Sequence, residues 1–145
     1  MAALSNYLEN KIVDHLLRAT AYTAPATVYV GLLTAAPSDT GGGTEVSGNA
    51  YARVAVTSAT TAWTGTHGTT TGASSGTNGT VSNAATITFP TPTPAGWGTV
   101  THFGVYDAST AGNLLFYAAL TTSKTINASD VVSFAVGALT LQIDN

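Results

Sequence analysis

Residues 6–37 read NYLENKIVDHLLRATAYTAPATVYVGLLTAAP, and the periodicity changes partway through. Leu4, Leu8, Ile12 and Leu16 recur at every fourth position, and Val13 and Leu17 widen the stripe. That spacing predicts an amphipathic helix. Ser5 or Asn6 can cap it, and Asn6 with Glu9 has capping-box spacing. Arg18 falls where it complements the negative end of the helix dipole. Residues 20–25 break the pattern, so the helix runs over 5–18. A helix of about 14 residues is marginal alone and must pack on something. The next segment, ATVYVGLLT (26–34), is β-branched and aromatic and stops at AAPSDTGGG, as a strand does.

The rest of the chain follows that strand rather than the helix. YARVAVT (51–57) places Tyr51, Arg53 and Ala55 on one face and Ala52, Val54 and Val56 on the other. Further strands are predicted over 85–90, 99–107, 113–121, 131–137 and 139–144. The turn signals TPTPAGWG, DASTAGN and NASD fall between them. Strands do not alternate with helices, which excludes a Rossmann or TIM-barrel architecture. The expectation is a mainly β fold: an antiparallel β-sandwich or jelly-roll-like domain with one short N-terminal α-helix over an edge or open end of the sheet. At 145 residues the chain makes one domain, 1–145. Residues 58–83, rich in Thr, Gly and Ser, are read as a long loop insertion. No internal repeat of a solenoid or shaft is present.

Charge is the unusual feature of the composition. Asp, Glu, Lys and Arg make up 8% of the chain, against about 25% in an ordinary soluble domain. None of the four occurs between Val54 and Tyr106. The basic residues, Lys11, Arg18, Arg53 and Lys124, are scattered and the net charge is −3. Sequence-independent nucleic-acid binding and polybasic membrane attachment both need clustered cations, so neither is expected. No apolar run is long enough to span a bilayer as a helix. MAALSNYLENK does not read as a secretory signal. Cysteine is absent, which removes disulfides, thiolate metal sites and cysteine nucleophiles.

No catalytic motif emerges. His15, His67 and His102 share no metal-ligand spacing. His102 and Asp107, five apart on one strand, face opposite sides of the sheet. GASSG lacks the strand–turn–helix setting of a nucleophilic serine. TGGGTE (40–45) is followed by neither a Lys-Ser/Thr pair nor a helix, so it is a connection rather than a phosphate cradle. Asp39, Glu45, Asp107 and Asp130 lie in turns without the dense alternation of a calcium loop. No catalytic, cofactor-binding or metal-binding residue is therefore assigned, and the protein is not expected to be an enzyme. Phe103, Phe116 and Phe134 are read as core. Trp63, Trp97, Tyr7 and Tyr22 are the candidates for an interface.

Three blocks carry a resemblance: LSNYLENKIVDHLLRATAYTAPATVYVGLLTAAPSD, GTEVSGNAYARVAV and WGTVTHFGVYDASTAGNLLFYAALT. In this order they resemble a group of small virion structural proteins of tailed bacteriophages, often labelled tail-fibre or minor structural proteins. The resemblance implies a virion component made in the host cytoplasm and transfers no catalytic residue. Two roles compete within it. One is a capsid decoration, or cement, protein on the capsid exterior, bound to the major capsid protein and to itself, as a trimer ahead of a dimer. The other is a tail-fibre or baseplate module contacting a host cell-surface receptor. The small size, without shaft repeat or heptad, favours decoration.

Overall fold

The computed structural model describes residues 2–65 and 79–143. The chain opens with β1 (Ala3–Leu4) and α1 (Asn6–Leu17), then β2 (Thr27–Ala35), β3 (Thr44–Glu45) and β4 (Val54–Thr57). After these come β5 (Trp63–Thr64), β6 (Thr80–Asn83), β7 (Ile87–Thr88), β8 (Gly98–Tyr106), β9 (Leu114–Ile126), β10 (Ser133–Phe134) and β11 (Thr140–Gln142). The fold is mainly β and antiparallel, with one N-terminal helix. The central sheet runs β1-β9-β8-β2-β3, with β4 also paired to β2. Two smaller sheets, β10-β7 and β11-β6-β5, lie apart from it.

Strand alternation decides which face is buried. Val30 and Leu32 of β2, Val100, Phe103 and Val105 of β8, and Ala118 of β9 point to one side. There they join Ile87, Phe89, Leu139 and Leu141 from the segments of the smaller sheets in one apolar cluster. The packing is sandwich-like: one face of the central sheet is closed by the small sheets. Phe134 stacks edge-to-face on both Phe89 and Phe103, at 6.2 and 5.8 Å between centroids, and so ties the two layers together. The opposite face carries Tyr29, Gly31 and Leu33 beside His102, Gly104 and Tyr106, by the register of β2 on β8.

Several elements differ from their sequence pattern. Strands predicted over 85–90 and 131–137 reduce to two-residue pairs, and the one over 51–57 begins only at Val54. Before β4, Tyr51 N–H donates to the Gly48 carbonyl in a turn instead. β9 instead runs past the predicted residue 121 to Ile126, through an irregularity in its pairing with β8 between Ala119 and Lys124. The stretch 58–83 is not wholly loop, because β5 and β6 pair within it, Trp63 opposite Asn83. Residues 66–78 of that stretch, His67 included, lie outside the described residues.

The helix sits as predicted near the N-terminus and meets β9 beside the edge strand β1. Ser5 caps it, accepting from Leu8 N–H at 3.3 Å, and the Ser5 hydroxyl donates to the Leu114 carbonyl. Asn6 N–H reaches the Asp39 carbonyl at 2.8 Å. Leu8 is its only buried residue. Val13, Leu16 and Leu17 are 48%, 70% and 80% exposed. The helix is pinned by its first turn, and the C-terminal half of its apolar stripe is exposed.

Candidate interaction site

Glu45 and Arg53 form a largely buried ion pair at the edge of the central sheet. β3 and β4 both pair with β2, Glu45 opposite Leu33 and Val54 opposite Val30. Between them the β2 edge has a gap. The Tyr51 hydroxyl fills it, accepting from Leu32 N–H at 2.8 Å and donating to Glu45 Oε1 at 2.9 Å. Arg53 grips the same carboxylate with both arms of its fork, Nε to Oε1 at 2.8 Å and Nη2 to Oε2 at 2.7 Å. Its remaining nitrogen donates to the carbonyls of Ala108 and Ala111, at 2.7 and 2.9 Å. The guanidinium lies 3.5 Å from the centre of the Tyr106 ring. Arg53 thus staples the edge of the sheet to the β8–β9 turn.

Two glycines make room for this staple. Gly31 and Gly104 are directly opposite each other in β2 and β8. A Cβ at Gly31 would stand 2.9 Å from Glu45 Oε1, and one at Gly104 would stand 2.8 Å from Tyr106 Cε2. The sheet therefore has a bare patch into which the Tyr106 ring and the ion pair settle. Burial opposes the Arg53 charge, but the hydrogen bonds and charge of Glu45 outweigh it and hold the guanidinium pKa above its ordinary value. Burial pushes the Tyr51 and Tyr106 hydroxyls up as well.

Among the described residues, the acid and base groups singled out from sequence are spent on local structure. His15 Nδ1 accepts from Tyr22 N–H at 3.2 Å, and His102 Nδ1 pairs with the neighbouring Thr101 hydroxyl at 2.8 Å. Asp107 closes the β8–β9 turn through Asn113 N–H and its amide, at 2.6 and 2.7 Å. Asp130 accepts from Asn127 N–H at 2.7 Å, and Asp39 accepts from the Tyr117 hydroxyl. Among the described residues no three of His, Asp and Glu gather in a metal-binding group.

The interface candidates divide. Trp97 is a correction: it is 7% exposed, its Nε1–H donates to the Asn49 carbonyl at 3.0 Å, and its ring meets Tyr51 edge-on at 5.3 Å. The glycines beside it let the chain turn inward rather than present the indole. Trp63 is half-buried, packed against the core from β5. Tyr7, in the first turn of α1, and Tyr22, after the helix, are half-exposed, with Lys11 5.6 Å from the Tyr7 ring centre. Burial, then the nearby Tyr7 and Asp107, raise the Tyr22 pKa.

Sequence reasoning missed two features. One is the Glu45–Arg53 pair; in a chain so poor in charge, an arginine inside a strand pattern was itself the signal for a buried partner. The other is an open groove of about 540 Å³ between the central sheet and the β10–β11 segment, lined by the apolar Leu32, Phe103 and Phe134 and by the polar Thr122, Lys124 and Gln142 among others. It includes Leu120, Thr121 and Thr122, which lie in the irregularity of β9 between its His102–Ala119 and Val100–Lys124 pairs, a feature that no local pattern announces.

The surface so defined is that of a β domain with an exposed apolar helix face and an open groove of mixed polarity. The family model described as "Podophage GP4 fiber I protein gp80" matches residues 3–142. The chain belongs to that family, and with it among the structural components of phage particles. A comparison with curated proteins found no match.

Proposed function

We propose that the chain is a non-catalytic fibre module of the phage particle, attached at the tail. The observation that carries this reading is the match to a fibre family over nearly the whole chain, residues 3–142. The domain's physical character supports it. Among the described residues, Asp107 and Asp130 are committed to turns and Glu45 to the Arg53 staple, which serve rigidity rather than chemistry. In this reading the partners are further copies of the chain, a neighbouring structural protein and, at the outer end of the assembly, a host-surface receptor.

The capsid-decoration reading has one observation of its own. Contacts made by the uncharged stretch between Val54 and Tyr106 would persist as ionic strength changes, because screening weakens exposed ion pairs and leaves apolar contacts untouched. That property suits a many-copy cement bound to the major capsid protein. Counting copies per particle by quantitative gel and cryo-electron microscopy separates the two. The fibre reading expects a few copies at the tail, and particles that lose adsorption when the protein is removed while the capsid stays intact. Copies spread over the capsid lattice in the hundreds would overturn it in favour of decoration.

A further inference from the structure

Among the described residues, β9 has a long flank that no strand covers. β1 pairs with it only at Phe116 and Tyr117, whereas β9 continues to Ile126. On the other flank Leu120 to Ser123 stand against Thr101 alone in the pairing with β8, so part of that backbone is left out of the ladder. Consecutive residues from Ala118 to Thr122 line the groove. Side chains of a strand alternate between its faces, so a run of consecutive residues presents the strand's edge. The facing wall holds Thr140 and Gln142 of β11, itself the outermost strand of its sheet. The groove is thus a slot of about 540 Å³ between two strand edges, with Leu32 and Phe103 at its floor.

A single charge marks this slot. Lys124 stands opposite Val100, which is 1% exposed, and directly opposed residues of paired strands share a face. Its stem therefore leaves the sheet on the core-facing side, along the groove that it lines. The other basic residues are engaged: Arg53 by Glu45, Arg18 by Asp14, and Lys11 over the Tyr7 ring. Among the described residues Lys124 has neither an acidic nor an aromatic partner, and no acid lines the slot.

We propose that the slot takes an extended segment of another protein, added as a strand beside β9, with apolar side chains toward Phe103 and Phe134 and a carboxylate level with Lys124. In strand addition, backbone hydrogen bonds supply affinity and pockets for alternate side chains supply specificity. Charge decides against a second copy of β9 as the added strand. β9 contains no acid, so pairing two copies along this edge adds a second lysine and no counter-charge, and edge lysines guard against such pairing. An acidic strand turns the same lysine into a cross-strand attraction. The binding does not depend on whether the neighbour belongs to the tail or the capsid, so its failure and that of the fibre reading are separate results.

Nuclear magnetic resonance titration of the isotopically labelled full chain, up to about 1 mM peptide, tests this with capped synthetic peptides of about seven residues. One set alternates valine with threonine and carries an aspartate at either end of its valine face; the other set has lysine in place of the aspartate. An aspartate peptide should shift the amides of Thr121, Thr122 and Thr125 and of Thr140 to Gln142, and bind about threefold or more tighter than its lysine counterpart. Lys124→Glu, at an exposed position, should keep the circular dichroism and melting temperature and reverse that order. The proposal is overturned by an absence of shifts with every peptide, by shifts confined to another surface, or by equal binding of the two sets. An order that Lys124→Glu leaves unchanged, or a slot filled by a second copy of the chain over the same range, would overturn it as well.

Discussion

Arg53→Met tests the account of what holds the sheet edge to the β8–β9 turn. The Arg53 side chain is 6% exposed and that of Glu45 26%. Removing the guanidinium leaves a largely buried carboxylate with only the Tyr51 hydroxyl as donor, and frees the carbonyls of Ala108 and Ala111. Breaking a buried pair by deleting one partner costs about 3–5 kcal/mol, most of it the uncompensated charge left behind. For a domain of this length that corresponds to a fall in Tm of about 10 °C or more. The double variant Glu45→Leu/Arg53→Met removes both charges and should be more stable than Arg53→Met alone, since an apolar pair of similar volume is often neutral or better. Urea unfolding followed by tryptophan fluorescence measures both, with Trp97 packed against Tyr51 as the reporter. The single variant, the double variant and Glu45→Leu complete a cycle whose coupling should exceed about 1 kcal/mol. A loss below about 1 kcal/mol for Arg53→Met would refute the reasoning, because that is the size of an exposed ion pair.

Two further outcomes follow from the same geometry. The Asp39 carboxylate holds the Tyr117 hydroxyl protonated, with its pKa raised from 10.0 to about 12. A folded-state pKa raised in this way stabilises the fold fully below pH 10 and loses that contribution as pH climbs through 12. An absorbance titration should show tyrosine ionisation delayed beyond pH 10, and Tyr117→Phe should flatten the stability loss between pH 10 and 12; all six tyrosines titrating together near 10 in the folded protein would contradict it. Gly104→Ala should destabilise by about 1–3 kcal/mol, the cost of overpacking, because the new methyl would stand 2.8 Å from the Tyr106 ring and 2.9 Å from Leu114 Cδ1. An unchanged urea midpoint would show that Tyr106 is free to move off the sheet.

Local pattern determined much of this protein. The fourfold spacing of Leu4, Leu8, Ile12 and Leu16 marked α1 almost to its ends, because helix periodicity depends on residues a few positions apart, while the structure chose Ser5 over Asn6 as the cap. The long strands β2 and β8 were legible for the same reason, since apolar alternation and β-branching act within a single strand. Phe103 lies in the core as read, with Phe116 and Phe134 packed against it. The family resemblance was also legible, carried by three blocks of residues. What the sequence could not supply was the destination of each surface. Val13, Leu16 and Leu17 belong to an apolar stripe, and such a stripe states that a face wants covering without stating what covers it. Trp97 lies between turn-forming glycines, yet it turns inward to the Asn49 carbonyl, 48 residues away in the chain. Arg53 finds Glu45 only because both flank the same β2 edge, above a Gly31–Gly104 pair contributed by two strands 73 residues apart. Periodicity is a local property and partner choice is not, so the tertiary structure alone decided which charges were paired and which apolar face was left open.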